Sequence, residues 1–293
     1  MRIAVVGASG YIGQNLIKKL LAETDYSIVA LSLNAETIPI ASDKLEKHNI
    51  DVFDSATLGT FLDGCDVAFY LVHMMSQKKL DFAEAEAKAA ESFSAAANQA
   101  SVKRVIYLGG LGNDEDKLSK HLASRHRTGE ILRQSLPLVI EFRASMIIGK
   151  GSISYDIIAN LVHKLPVLTL PTWAKTLTQP IGLADALSYL VGAINLPLNN
   201  HEIVEIGGPD QLSYKDFMKR YEDWRGTSAL MIMFPIIPVG IAAWWLNLFT
   251  PRKHAKVGRA MVESLANPMI VTNNRAQELF PEITPLPIDD VFV

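Results

Sequence analysis

Three glycines near the start of the chain constrain its fold more than any other feature. Gly7, Gly10 and Gly13 follow a short apolar run, Arg2 to Val6, and precede apolar residues at helical spacing. Between a strand and a helix, glycine permits a tight turn, the close approach of a pyrophosphate and close helix packing. The N–H groups at the start of such a helix attract anions. The pattern therefore predicts a phosphate cradle for a dinucleotide, and the alternative is that the glycines serve only the turn.

The rest of the first half alternates strands with helices. β-Branched apolar runs predict six strands, at residues 2–6, 27–33, 48–53, 66–72, 104–108 and 138–142, and helical periodicity is clearest at 80–100 and 119–134. This alternation predicts an α/β fold, a Rossmann-type doubly wound parallel sheet over residues 1–150. We expect residues 151–293 to form mostly a smaller C-terminal cap, with residues 178–210 returning to the core.

Charge and cysteine content argue against several classes of protein. The chain has 28 basic and 31 acidic residues without a long run of one sign, so no nucleic-acid partner is expected. Cys65 is the only cysteine and the seven histidines are scattered, so neither an internal disulfide nor a zinc motif is predicted. The first residues read as a strand rather than a secretory leader, which favours a cytoplasmic protein.

One segment complicates that assignment. Residues 226–251 contain no charged side chain and are numerous enough to span a bilayer. Pro235 and Pro238 would interrupt a helix there and leave backbone groups unsatisfied in lipid. We expect the segment to pack within the cap or to be exposed on it. A transmembrane helix and a peripheral membrane contact are the alternatives.

Several further motifs carry a family resemblance. They are YLVHMM (70–75), KRVIYLGGL (103–111), HLASR (121–125), EFRASMIIG (141–149), TQPI (178–181), EIGGPD (205–210) and TP (250–251). With the glycine loop and Asp51, they resemble the atypical short-chain dehydrogenases/reductases, and more closely the bacterial NAD(P)H-binding group described as nucleoside-diphosphate-sugar epimerase-like or NmrA-like. The resemblance covers nearly the whole chain and implies NAD or NADP as cofactor, but it does not indicate a substrate.

The glycine loop and the ends of the next strands predict the cofactor site. The second strand ends at Ser32, Leu33 and Asn34, without the acid or base that would read a ribose 2′-hydroxyl or a 2′-phosphate, so NAD versus NADP stays open. Asp51 is predicted to approach the adenine end, unless it is a solvated turn residue. The expected cofactor-binding residues are Gly7, Ser9, Gly10, Tyr11, Ile12, Gly13, Asn34, Asp51, Val52, Leu71, His73 and Gly109.

The catalytic positions of the resembled superfamily are changed in this chain. Its active members usually carry a hydroxyl residue after the fifth strand and a YxxxK pair on the next helix. Here Gly109 and Gly110 occupy the first position, and His121 and Arg125 occupy the other two. Residues i and i+4 share a helix face, so we predict that His121 exchanges a proton while Arg125 orients a ribose or phosphate. The alternative is a solvated helix face.

Four other side chains are candidates for the cleft. His73 follows the fourth strand, at the carboxyl edge where ligands bind, and is a further catalytic candidate unless it is a polar loop residue. Arg143 is predicted to clamp a substrate carboxylate or phosphate, unless it forms a structural ion pair with Glu141 or a cap residue. Tyr155 and Trp173 are predicted to line the substrate side, although aromatic side chains also fill cores.

These features favour an oxidoreductase that uses NAD(P)(H) on a small carbonyl or quinone compound. One alternative is an NmrA-like redox sensor or assembly protein that binds the dinucleotide without turnover. Another is a nucleotide-sugar epimerase-like enzyme. A small-molecule ligand is the expected partner, and a homodimer is an open alternative to a monomer.

Overall fold

A computed structural model describes residues 1–74, 81–164, 167–233 and 265–292. No helix within these ranges combines the length and the hydropathy that crossing a bilayer requires. Only residues 226–233 of the uncharged segment are described, so most of the expectation for residues 226–251 lies outside the described residues.

Seven parallel strands form the central sheet. In chain numbering they are β1 (Arg2–Val6), β2 (Ser27–Ser32), β3 (Leu45–Asn49), β4 (Val67–Tyr70), β5 (Arg104–Gly110), β6 (Val139–Ala144) and β11 (Glu202–Ile206). Their spatial order is β11-β6-β5-β4-β1-β2-β3, so the winding reverses between β1 and β4. The predicted Rossmann-type fold is confirmed, and such a reversal is where doubly wound sheets bind ligands.

Helices accompany these strands. They are α1 (Tyr11–Glu23), α2 (Ser55–Leu62), α3 (Phe82–Gln99), α4 (Lys120–Ser135) and α6 (Leu183–Gly192). In α3, Ala85, Ala89 and Ala96 are fully buried, and these small side chains share one apolar cluster with Tyr70 and Tyr107 from the sheet. Alanine favours the helix because it loses no side-chain entropy, and its small side chain leaves room for the large aromatic rings.

The third strand differs from its predicted position. We predicted a strand at residues 48–53, whereas β3 spans Leu45–Asn49 and pairs with β2 at the edge of the sheet. The apolar residues Ile50 and Val52 misled the prediction, because they are buried just after the strand ends. An edge strand needs few apolar side chains of its own, so hydrophobicity does not mark its bounds.

The remaining elements form small sheets and short helices. They are β7 (Ile147–Ile148), α5 (Ile153–Lys164), β8 (Val167–Leu170), β9 (Leu177–Thr178), β10 (Ile181–Gly182), β12 (Leu212–Ser213), α7 (Tyr214–Arg225), β13 (Leu230–Met233), α8 (Arg275–Leu279) and α9 (Ile288–Val291). Ser213 caps α7 by accepting a hydrogen bond from the Asp216 amide, 3.1 Å away. Gly226 ends α7 with φ of 69°, a left-handed conformation that favours glycine.

The chain divides into two compact units that interleave along the sequence. The first consists of Met1–Gly109, Ser124–Arg143 and Leu187–Val204. The second consists of Gly110–Ala123, Ala144–Ala186 and Glu205–Val293. The late segment that belongs to the first unit therefore lies within the predicted return at 178–210. Each unit has its own apolar cluster.

Candidate functional site

A groove of about 290 Å³ opens in the first unit at the carboxyl ends of β1 to β4. Seven predicted cofactor residues line it, namely Gly7, Ser9, Gly10, Asn34, Val52, Leu71 and His73. Tyr11, Ile12 and Gly13 form the adjoining first turn of α1, whereas Asp51 and Gly109 are not among its lining residues. Ligands of doubly wound sheets bind at this edge.

The glycine loop has the geometry that a pyrophosphate cradle requires. Gly7 adopts φ of +90°, and a Cβ there would lie 2.7 Å from the backbone of Leu71. A Cβ on Gly13 would lie 2.7 Å from the Gly7 carbonyl oxygen, so only glycine lets α1 start this close to β1. The helix N-terminus has no side-chain cap and no acidic residue in its first turn. Its N–H groups and dipole therefore suit an anion.

Two serines face each other at the end of β2. The hydroxyls of Ser9 and Ser32 lie 2.5 Å apart, and Ser32 also accepts a weak hydrogen bond from the Asn34 amide at 3.4 Å. Beside them, Leu31, Ile50 and Val52 supply an apolar surface. Ser32 is not among the predicted site residues, although it stands where an acid that contacts the ribose would be expected.

Asp51 lies in a turn beyond β3. Its exposed carboxylate accepts a hydrogen bond from the Phe53 amide at 3.0 Å, which is an Asx-type turn contact. The neighbouring Asp54 caps α2 by accepting from the Thr57 amide and hydroxyl, and these hydrogen bonds lower the pKa of Asp54. The proposed contact of Asp51 with adenine stays a prediction.

His73 is bonded to a carboxylate that is not among the predicted site residues. Its Nδ1 lies 2.6 Å from Oε1 of Glu86, a residue of α3 that is only 3% exposed. Partial desolvation lowers the pKa of His73, whose side chain is still 38% exposed, and the nearby Arg125 adds to this effect, although Glu86 opposes it. Burial would raise the pKa of Glu86, but bonds from His73 and Ser124 and the charge of Arg125 lower it to about 2. Together these effects favour an ionised Glu86 and shift His73 toward its neutral form.

Arg125 is buried and bonded to the ends of two strands. Its guanidinium donates to the Val72 carbonyl at 3.1 Å and to the Leu108 carbonyl, and it lies 4.0 Å from Glu86. It also lies over the ring of Tyr107, 4.9 Å from the centroid. Through these contacts Arg125 connects β5 to the segment that follows β4. The predicted contact of Arg125 with ribose or phosphate stays a prediction.

His121 lies one turn before Arg125 on α4 and is half-buried. Its role in proton exchange stays a prediction. Gly109 is half-buried in β5, and a Cβ there would lie 3.2 Å from the Tyr107 ring and 3.5 Å from the Phe142 carbonyl oxygen. A larger residue at position 109 would therefore press on its neighbours.

The ion pair considered for Arg143 is present. Its Nε donates to Oε1 of Glu141 at 2.8 Å, and Glu141 is completely buried, with Arg133 as a second cationic partner. A side chain at Gly129 would overlap this carboxylate, so α4 needs glycine there. The contact of Arg143 with substrate stays a prediction.

The two aromatic candidates lie in the second unit. Tyr155 is 4% exposed and packs edge-on against Tyr221 and stacked with Phe292. Trp173 is half-buried and packs edge-on against Tyr214, with ring centroids 6.1 Å apart. Both belong to the apolar packing of that unit. Their predicted contact with substrate stays a prediction.

Comparison with solved structures shows the same fold in several enzymes. A nucleoside-diphosphate-sugar epimerase from Staphylococcus aureus is 15% identical, with a TM-score of 0.75 over 99% of this chain and 98% of that one. A triphenylmethane reductase from Citrobacter sp., complexed with NADP(H), is 14% identical, with a TM-score of 0.76 over 99% and 98%. A UDP-glucuronic acid 4-epimerase from Bacillus cereus, in complex with UDP-glucuronic acid and NAD, is 16% identical, with a TM-score of 0.74 over 99% and 96%. At these identities the likeness shows the fold alone.

Sequence comparison finds relatives for the first part of the chain. A curated relative, cinnamoyl-CoA reductase 2 from Arabidopsis thaliana, is 29% identical over 118 residues, which are 38% of this chain and 35% of the relative. The match thus spans about a third of that relative's length. A family model described as NAD(P)H-binding matches residues 7–137, which begin at the glycine loop and end after α4. The chain therefore carries an NAD(P)H-binding domain over residues 7–137.

Proposed function

We propose that the groove holds NAD(P)(H) with its pyrophosphate at the start of α1, and that the protein is an oxidoreductase acting on a small carbonyl or quinone compound. The observation that carries the proposal is the glycine loop at the β1–β4 reversal, where α1 begins without a cap or an acid. The apolar surface of Leu31, Ile50 and Val52 suits an adenine ring.

Chemistry at this site would depend on the cofactor and on one titratable neighbour. Bound NAD(P)(H) supplies or accepts a hydride. Among the described residues that line the groove, His73 is the titratable one, and a mainly neutral imidazole suits proton exchange near neutral pH. His121, which the family motif places at the catalytic tyrosine, is the other candidate.

The binding proposal is tested by Gly10→Val. A Cβ at Gly10 would be 3.1 Å from the Gly7 carbonyl oxygen, and the two methyl groups of valine would extend into the anion path. We expect isothermal titration calorimetry to show loss of NADH and NADPH binding. Gly59→Ala, where a Cβ would make only ordinary contacts at 3.6 Å or more, should bind as the wild type does. Unchanged affinity in a folded Gly10→Val protein would overturn the proposal.

A second candidate function is a dinucleotide sensor without turnover. It is favoured by Arg125, which holds the family's lysine position yet is bonded to the Val72 and Leu108 carbonyls. A panel of carbonyls, quinones and UDP-sugars, assayed with both dinucleotides, separates the candidates. Turnover of a carbonyl or quinone supports the oxidoreductase, whereas turnover of a UDP-sugar supports the epimerase-like alternative. Tight dinucleotide binding without turnover across the panel supports the sensor.

We further propose a cytoplasmic protein that contacts a membrane peripherally through residues 226–251. Support comes from the paired strands β8 and β13, where Val167, Leu230 and Ile232 are 45%, 62% and 40% exposed. An exposed apolar patch of this kind indicates an interaction surface. Leu230→Asp should reduce flotation with anionic vesicles. Analytical ultracentrifugation of the same variant tests the alternative that this patch forms a homodimer. In that case the wild type should sediment as a dimer and Leu230→Asp as a monomer.

A further inference from the structure

Glu86 is buried on the apolar face of α3 and yet has three hydrogen-bonding groups around it. Oε1 lies 2.6 Å from Nδ1 of His73 and accepts from the Met74 amide at 3.3 Å, and Oε2 accepts from the Ser124 hydroxyl at 2.5 Å. The Arg125 guanidinium at 4.0 Å supplies the compensating charge. A buried carboxylate is tolerated only when it is paired and bonded in this way.

We infer that Glu86 is a positioning residue that holds His73 in the tautomer with a proton on Nδ1, leaving Nε2 as the ring nitrogen with a lone pair. The inference deepens the proposed function and rests on it, since His73 acts only if the groove holds its ligand. A carboxylate facing one ring nitrogen is the usual means of selecting a histidine tautomer, because an ionised carboxylate can only accept a hydrogen bond.

The charges around the pair shift His73 toward its neutral form and keep Glu86 ionised. Glu86 comes from α3 and Arg125 from α4, and the hydroxyl of Tyr107, from β5, donates to the Arg125 carbonyl at 2.9 Å. Since Arg125 already balances the carboxylate, the pair does not require an imidazolium. With its proton on Nδ1, the neutral ring carries its lone pair on Nε2. If Glu86 served only to anchor the loop after β4, its hydrogen bond with the Met74 amide would suffice, and no contact with the His73 ring would be needed.

The inference is tested by nitrogen NMR of the full-length protein labelled with ¹⁵N-histidine. The His73 signals are assigned by their loss in His73→Asn. We expect Nδ1 to give the shift of a protonated nitrogen and Nε2 that of an unprotonated one at pH 7.5. Glu86→Ala should return His73 toward a mixture of both neutral tautomers. If the wild-type His73 instead carries its proton on Nε2, the inference is wrong.

A charge-only variant provides an independent measurement. Glu86→Gln keeps the shape and an acceptor oxygen but removes the negative charge that favours imidazolium, so the His73 titration midpoint should fall. Glu91→Gln makes the same change at an exposed position of α3 and should leave the midpoint unchanged. An unchanged midpoint in Glu86→Gln would overturn the inference. Neither readout needs dinucleotide, so failure here is distinguishable from failure of NADH or NADPH to bind the wild type.

Discussion

The guanidinium of Arg125 donates a hydrogen bond to the carbonyl oxygen of Val72, 3.1 Å away, and thereby ties α4 to the loop that follows β4. Leu71 and His73, which flank Val72, line the groove. Arg125 also donates to the Leu108 carbonyl, so one side chain braces two neighbouring strand ends. The shape of this side of the groove therefore depends on a residue that the family motif assigns to catalysis.

Arg125→Lys should destabilise the protein by about 2 kcal/mol, because a single ammonium cannot bond both carbonyls and stack on Tyr107. Urea unfolding measures this loss. Arg127→Lys, an exposed change on the same helix, should be neutral. If Arg125→Lys kept full stability but weakened dinucleotide binding, contact of Arg125 with the ribose or phosphate would be supported instead.

Stability should fall as the solution is acidified, in two stages. Below about pH 6.5 the unfolded chain protonates His73 before the folded chain does, because the folded pKa is lowered. Below about 4.5 the same applies to Glu86, whose folded pKa is about 2. The free energy of unfolding, measured with urea from pH 7 to 3, should therefore fall less steeply below about pH 4.5 in Glu86→Gln than in the wild type. An equal slope in both proteins over that range would contradict the assigned ionisation of Glu86.

Ser32→Asp should shift the cofactor preference toward NADH. A carboxylate at the end of β2 can accept from a ribose 2′-hydroxyl but repels a 2′-phosphate by at least about 1 kcal/mol, roughly a fivefold to tenfold effect. The measurement is the ratio of NADH to NADPH dissociation constants. Ser27→Asp adds the same charge at the exposed opposite end of the strand and should leave the ratio unchanged. A constant ratio in Ser32→Asp would place the ribose elsewhere.

If the protein transfers hydride, His121→Ala should lower kcat by about 10²- to 10⁴-fold while dinucleotide affinity is retained. That is the result expected for a group that exchanges the proton accompanying hydride transfer. His73→Gln, assayed in parallel, distinguishes the second candidate. Loss of turnover only in His73→Gln would transfer the proton-exchange role to His73, whereas loss in neither would exclude both.

Much of the fold was predictable because its signals are local. Local periodicity and composition predict the glycine loop, the buried strands β1, β2 and β5 and the alanine-rich helix α3. The edge strand β3 was misplaced because its own residues are half-exposed and the apolar Ile50 and Val52 lie beyond it. Their burial comes from packing in the apolar cluster of the first unit rather than from strand pairing.

The Glu86 network could be found only in part from the sequence. Glu86 lies among Ala85, Ala89 and Ala90 on the buried face of α3, and a charge on an apolar face signals a buried partner. The partner itself has no local signal, since His73 is 13 residues away and Ser124 is 38 residues away.

The sequence by itself determined the parallel sheet and the glycine loop at the start of α1, because backbone freedom at Gly7 and the alternation of apolar runs depend on neighbouring residues alone. The tertiary structure decided which polar side chains meet. Arg125 bonds strand ends, and Glu86 bonds His73, because α3 and α4 pack on the same sheet. A buried charge must find its partners wherever packing places them, and that placement depends on the whole fold.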